Sequence, residues 1–116
     1  MPETFRTLRA RDVGLSRTQL ETASAGPYSV PTGAVALIIG MTVCNDTAGA
    51  VGVTVEIGAG TTFTRLTNGT QLGVGQTLAP CGEMNKIGLE VGEGIYVTSS
   101  AAASLDVIAT ILEITP

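Results

Sequence analysis

Between residues 34 and 57 the large apolar residues fall on alternate positions. They are Val35, Leu37, Ile39, Met41 and Val43, then, beyond Asn45-Asp46-Thr47-Ala48-Gly49, Val51, Val53, Val55 and Ile57. Successive side chains of an extended chain point to opposite sides, so a period of two gives a strand one oily face. The stretch therefore predicts two strands, and the turn-forming residues between them predict one long β-hairpin. The other face of the first strand, Ala34, Ala36, Ile38, Gly40 and Thr42, is small and carries no charge. That face is expected to be covered, by the N-terminal segment or by a neighbouring subunit.

The rest of the chain repeats this kind of pattern in shorter pieces. Strands are expected at 61–66, 71–74, 87–91, 95–99 and 105–114, separated by Gly- and Pro-bearing turns. One turn is at Pro31-Thr32-Gly33, one at Asn68-Gly69 between the strands of a second hairpin, and one at Gly92-Glu93-Gly94. Residues 105–114 are apolar on both faces, with Leu105, Val107, Ala109 and Ile111 on one and Ile108, Leu112 and Ile114 on the other. Such a strand belongs in the middle of a sheet, or turns its second face to another subunit. No stretch carries the spacing of a helix. Short strands with a turn about every ten residues predict an all-β chain, a single antiparallel β-sandwich of jelly-roll-like type. The 116 residues fit one domain, with 44% hydrophobic residues and 14% charged, well under the usual ~25%. So little charge leaves few residues to keep an isolated surface wet, which favours partners.

Charge is unevenly spread. Residues 1–17 hold Arg6, Arg9, Arg11 and Arg17 against Glu3 and Asp12, whereas the remainder holds Arg65 and Lys86 against eight acids. Residues 1–24 are therefore expected to be an extended N-terminal arm and 25–116 the sandwich. Phe5, Arg6, Leu8, Arg9, Arg11 and Arg17 are the candidate docking residues of that arm. Four Arg along the solvent side of an edge strand would look the same in sequence. Ala36, Ile38, Ile108, Leu112 and Ile114 are the candidate subunit-interface residues.

Residues able to carry chemistry are sparse. There is no His, the commonest general base and metal ligand. Lys86 sits in an expected loop. Cys44 and Cys81 are too few for a closed zinc site and are expected as reduced, partly buried thiols, with their pairing left open. Glu83, Glu90 and Glu93 lack the dense oxygen-ligand spacing of a calcium loop. The glycine clusters at 58–60 and 73–75 lack the strand-to-helix context of a phosphate loop. Asn45-Asp46-Thr47 and Asn68-Gly69-Thr70 match the glycosylation pattern, but residues 1–11 do not read as a signal peptide, so both matches are taken as accidental. No catalytic residue, cofactor or metal is expected. Nor is nucleic acid, because no aromatic platform accompanies the Arg, nor a membrane span, because no apolar run nears ~20 residues.

The order of features carries a resemblance. Tyr28-Ser29-Val30-Pro31-Thr32-Gly33-Ala34 opens the body, a strand ends at Val43-Cys44-Asn45, and Ile87-Gly88-Leu89-Glu90-Val91-Gly92-Glu93-Gly94-Ile95-Tyr96-Val97 follows. The chain closes on a strand ending in Glu113-Ile114. Over residues 27–114 this resembles the small β-sandwich virion proteins of tailed bacteriophages, with Glu93 where their turns often carry Asp. The resemblance implies a non-enzymatic capsid decoration (cement) protein, or a tail, baseplate or head-tail connector accessory. It implies a homo-oligomer, a trimer favoured, whose partners are the major capsid protein or other virion subunits, and a place in the virion after assembly in the host cytoplasm. A carbohydrate-binding sandwich is the competing reading, for which Tyr28, Phe63 and Tyr96 are the available aromatics.

Overall fold

The computed structural model describes residues 3–23, 26–80 and 87–115. Among them there is no helix, and eleven strands follow in order. These are β1 (Glu3–Val13), β2 (Thr18–Gln19), β3 (Glu21–Thr22), β4 (Gly26–Pro27), β5 (Val35–Asn45), β6 (Val51–Ala59), β7 (Thr62–Leu72), β8 (Thr77–Leu78), β9 (Ile87–Leu89), β10 (Gly94–Ser99) and β11 (Leu105–Ile114). They form two antiparallel sheets. Sheet A runs β4-β3-β1-β11-β5-β8 with β9 also on β5, and sheet B runs β2-β10-β6-β7.

The pairing is nested: β1 with β11, β2 with β10, β5 with β9 and β6 with β7. Setting aside the two-residue strands β3, β4 and β8, the first, eighth, third and sixth strands lie in sheet A. The second, seventh, fourth and fifth lie in sheet B. A long antiparallel ribbon rolled up in this way is the jelly roll, an architecture that buries every oily strand face against the opposite sheet. Leu8, Val13, Ile38, Met41, Val43, Ala109 and Ile111 of sheet A meet Val53, Val55, Ile95 and Val97 of sheet B in one core.

The hairpin expected over residues 34–57 does not form. β5 and β6 lie in different sheets, so their oily faces meet across the core instead of lying side by side. The loop between them is an arch built on Asn45, which is buried. Its amide nitrogen donates toward the carbonyls of Gly49 (2.8 Å), Leu72 (3.0 Å) and Gly73 (3.2 Å). Its oxygen accepts from the Thr47 amide (2.9 Å) and hydroxyl (2.8 Å). One side chain thus closes the arch and ties the end of sheet A to β7 of sheet B.

Bulges account for two further differences. In β5, Gly40 pairs with Thr110 and Ile38 with Ile111, so Ile39 is an extra residue. The strand changes phase there: Ala36 and Ile38 point inward before the bulge, Met41, Val43 and Asn45 after it. In β7 the Asn68-Gly69 pair is not a hairpin turn. Val53 and Val55 face Thr70 and Thr67, which inserts one residue, and Gly69 takes φ +66°, a conformation glycine adopts without penalty. The Thr67 hydroxyl repairs the ladder, accepting from Val55 N (3.1 Å) and donating to Val53 O (3.0 Å). The chain reverses instead at Gly60-Thr61, between Ala59 and Thr62. Other expected features are present, with Gly33 at φ +87° in the turn after Pro31 and β11 central between β1 and β5.

The leader is part of the sandwich. β1 pairs with β11 from Glu3 to Val13, and Leu8, Val13 and Leu20 are buried, so the sandwich begins at Glu3 rather than at residue 25. A strand with an apolar residue only at positions 8, 10 and 13 on its inner face reads as polar in sequence, because Arg6 shares that face and Arg9 lies on the other.

Removing the arch staple tests this account. Asn45→Ala is expected to cost about 2–4 kcal/mol in chemical denaturation, since it strands the buried Leu72 carbonyl and removes the bonds to the part-buried Gly73 carbonyl and Thr47 amide. A loss under about 1 kcal/mol would mean that the arch stands without it.

Candidate assembly surface

The outer face of sheet A follows from the registers. Across β1, β11 and β5 it presents four rows: Glu3–Ile114–Val35, Phe5–Leu112–Leu37, Thr7–Thr110–Gly40 and Arg9–Ile108–Thr42. Phe5 is 69% exposed, Ile108 56% and Val35 47%, and Leu37, Ile39, Leu112 and Ile114 are half-buried. These residues form a continuous apolar field on a sheet face, with Glu3 at one end and Arg9 and the exposed Arg11 at the other. A solvated sheet face normally alternates to polar residues, and a field of this kind marks a surface that meets another surface.

Of the candidate interface residues, Ile108, Leu112 and Ile114 lie on this face. Ala36 and Ile38 do not; Ile38 is fully buried in the sandwich core because the β5 bulge turns it inward. The small face expected on β5 is therefore split by the bulge, with Ala36 and Ile38 covered by the opposite sheet and Gly40 and Thr42 on the outer face. Of the candidate docking residues, Phe5 and Arg9 share the apolar face, Arg11 is exposed on the bulge beside it, and Leu8 is core. Val35, Leu37 and Ile39 were assigned to the core by strict alternation. Gly40 inside a strand pattern was the available sign of the bulge that exposes them.

Two of the arginines are engaged within the chain. At the open end of the sandwich Arg6 grips the buried Glu113 carboxylate with Nε and Nη2, both at 3.2 Å, while the Tyr28 hydroxyl donates to the same carboxylate at 2.5 Å. Burial pushes the Glu113 carboxyl up, but the hydrogen bonds from Tyr28 and Arg6 outweigh it and hold the group below the ordinary 4.5. Burial, together with the bond to Glu113, raises the Tyr28 phenol, so it stays a donor. On the outer face of sheet B, Arg17 holds Glu56 at 2.8 Å and lies 3.8 Å over the Phe63 ring, which meets Tyr96 edge-on at 4.9 Å. Arg65 approaches Glu56 at 3.8 Å. Phe63 also covers Gly58, where any side chain would collide with it. Sheet B is thus closed by a polar and aromatic cap, and sheet A is left open.

A third cluster escaped the sequence reading. Asp12, Asp46 and Asp106 bring carboxylate oxygens within 4.8 Å of one another at the Asn45 end. Asp12 takes φ +53° and gives its amide to Asp106 at 3.1 Å, so three acids distant in sequence meet through the bulge at the end of β1. Glu93 closes its own turn, accepting from the Glu90 amide at 2.8 Å. Cys44 is a free, half-buried thiol, whereas Cys81, Glu83 and Lys86 lie outside the described residues. No pocket opens among the described residues.

No family model matches the chain, and no curated protein matches it. Solved structures do. A chain from Bacillus endospore appendages, described as disulfide-linked pili, matches at TM-score 0.57 and 12% identity, covering 98% of this chain and 87% of that one. A chain of the acid-stable capsid of Helicobacter pylori bacteriophage KHP30 matches at 0.57 and 8% identity, covering 98% and 89%. In the Gx strain of infectious bursal disease virus the values are 0.54 and 11%, covering 99% of this chain and 34% of the other. At these identities the likeness is one of fold: an all-β sandwich.

The Glu113 cluster has a signed pH dependence. A carboxyl whose folded pKa is depressed contributes stability that is complete above about 4.5 and is lost as pH falls through the folded value. The stability gap between the wild-type chain and Glu113→Gln is expected to be largest near neutral pH and to narrow on acidification below pH 4.5, measured by urea denaturation. A gap that does not change with pH would show that the carboxylate charge is not what the cluster uses.

Proposed function

We propose that this chain is a non-enzymatic structural subunit of a virus particle, a capsid decoration or cement protein that associates with copies of itself and stabilises the particle by docking on major capsid subunits. The observation that carries this reading is the pairing of a jelly roll with an apolar outer sheet face. Among the described residues the other exposed large apolar side chains, Leu15, Val74 and Val91, stand singly, whereas Phe5, Val35 and Ile108 share this one face. The sequence resemblance to phage virion sandwiches and the fold likeness to a phage capsid and a viral structure support the setting. On this reading the chain works in the virion after assembly in the host cytoplasm. Self-association into a closed oligomer belongs to the same reading, with the trimer expected from the sequence as one closed form and a two-fold pair as another. Phe5, Arg9 and Arg11 are the leader residues that remain exposed for docking.

The carbohydrate-binding reading loses its support. Tyr28 is buried with its hydroxyl committed to Glu113, and Phe63 and Tyr96 are spent on each other and on Arg17.

The test uses particles assembled without the chain. Added protein is expected to co-sediment with them and to raise the temperature at which they release their genome. Sedimentation no greater than that of an unrelated protein, with no gain in heat stability, would overturn the reading.

A further inference from the structure

The four rows on the outer face of sheet A are complementary to themselves when one copy is turned end over end. Consider a two-fold axis lying across the strands, between the Phe5 row and the Thr7 row. Each strand then faces its own copy running the other way. Glu3 of one copy meets Arg9 of the other, which has Glu21 of its own β3 beside it in register. Ile114 meets Ile108. Phe5 lies over Thr7 and Leu112 over Thr110, while Leu37 lies over the Ile39-Gly40 bulge, so on β1 and β11 a large residue of one row falls on a small residue of the opposing row. Slid by one row along the strands, Phe5 lies over Phe5 and Glu3 over Thr7.

We infer that a second copy of this chain covers the outer face of sheet A, packed face to face about a two-fold axis across the strands. This names the partner and symmetry of the self-association in the reading above, and rests on it. Sheets stack about 10 Å apart with strand directions within about 30° of parallel or antiparallel, which the end-over-end arrangement satisfies. The four rows that superpose span seven residues, about 23 Å, of three strands at about 4.8 Å spacing, so the paired region is on the order of 350 Å² of sheet per copy, the size of a small interface. An isologous contact also closes on itself, so it gives a discrete pair and not a filament. Glu3 and Arg9 set the register, and the aliphatic rows supply the burial.

The experiment is the solution mass of the full chain at micromolar concentration, by sedimentation equilibrium. The wild type is expected at about twice the 11.8 kDa chain mass. Leu112→Arg is expected at the single-chain mass with an unchanged circular dichroism spectrum, and Val74→Thr, on an exposed loop away from the face, at the wild-type mass. Because a buried-face variant can fail to fold, the exposed charges give an independent arm. Glu3→Arg and Arg9→Glu are each expected to weaken the pair roughly threefold or more, and the double reversal to restore it. A single-chain or three-chain mass for the wild type overturns the two-fold pair, as does a double reversal no tighter than either single one. A single-chain wild type that still binds particles would sink this pairing and leave the structural role standing. A two-chain protein that ignores particles would do the reverse.

Discussion

Everything in this fold depends on strands that have one oily face each and nowhere to put it within a single sheet. β5 and β6 carry the densest such faces and are adjacent in the chain, yet they end on opposite sides of the core. A hairpin would have left both faces on the same side, still needing a cover. The arch lets each serve as the cover of the other. What makes the arch possible is a buried amide with enough donors and acceptors to satisfy a five-residue loop, and Asn45 supplies them. An apolar residue there would pack, but would leave the buried Leu72 carbonyl without the amide that answers it.

The two outer faces receive opposite treatment. On sheet B the central Glu56 is roofed by Arg17, with Phe63 and Tyr96 beside it, so a charged residue in mid-strand is buried with its partners supplied by the leader and by β7. On sheet A the middle of the face has no comparable charge, and the acids and arginines stand at its ends. The same leader serves both sides. β1 completes sheet A and exposes Phe5 and Arg9, and Arg17 then crosses to cap sheet B. Residues 3–22 are thus the segment that finishes the fold, which a reading by charge alone takes for a detachable arm.

How much of this was legible can be stated residue by residue. Alternation located β5, β6, β10 and β11, and two-sided apolarity put β11 in the middle of a sheet with Ile108, Leu112 and Ile114 outward. Those inferences need only the local period. Ala36, Ile38 and Leu37 were placed on the wrong faces because a bulge at Ile39 shifts the period by one, and one extra residue reverses every side chain beyond it. Asn68-Gly69 misled for the same reason: a positive φ serves a bulge as well as a turn, and only the partner strand decides between them. The Glu113 and Glu56 clusters were out of reach, because their members lie up to 107 positions apart and are joined by topology alone.

On the proposed pairing, association uses a sheet face and not a sheet edge. A jelly roll of this kind leaves strand edges at β4, β8 and β9 in sheet A and at β2 and β7 in sheet B. All but β7 are two or three residues long, too short to template another strand. β7 has eleven residues, but its two bulges break the even row of backbone donors and acceptors that an added strand must match. Among the described residues β3 pairs with β1 only at Leu8 and Arg9, so residues 3–7 of β1 form the longest regular edge of sheet A. The outer face of sheet A has no such device: its long strands β1, β11 and β5 run side by side, with the smallest residues, Gly40, Thr7 and Thr110, set in one row beside the largest. A chain this poor in charge has little polar surface to spend, and on the proposed pairing it is the outer face of sheet A that a second copy hides.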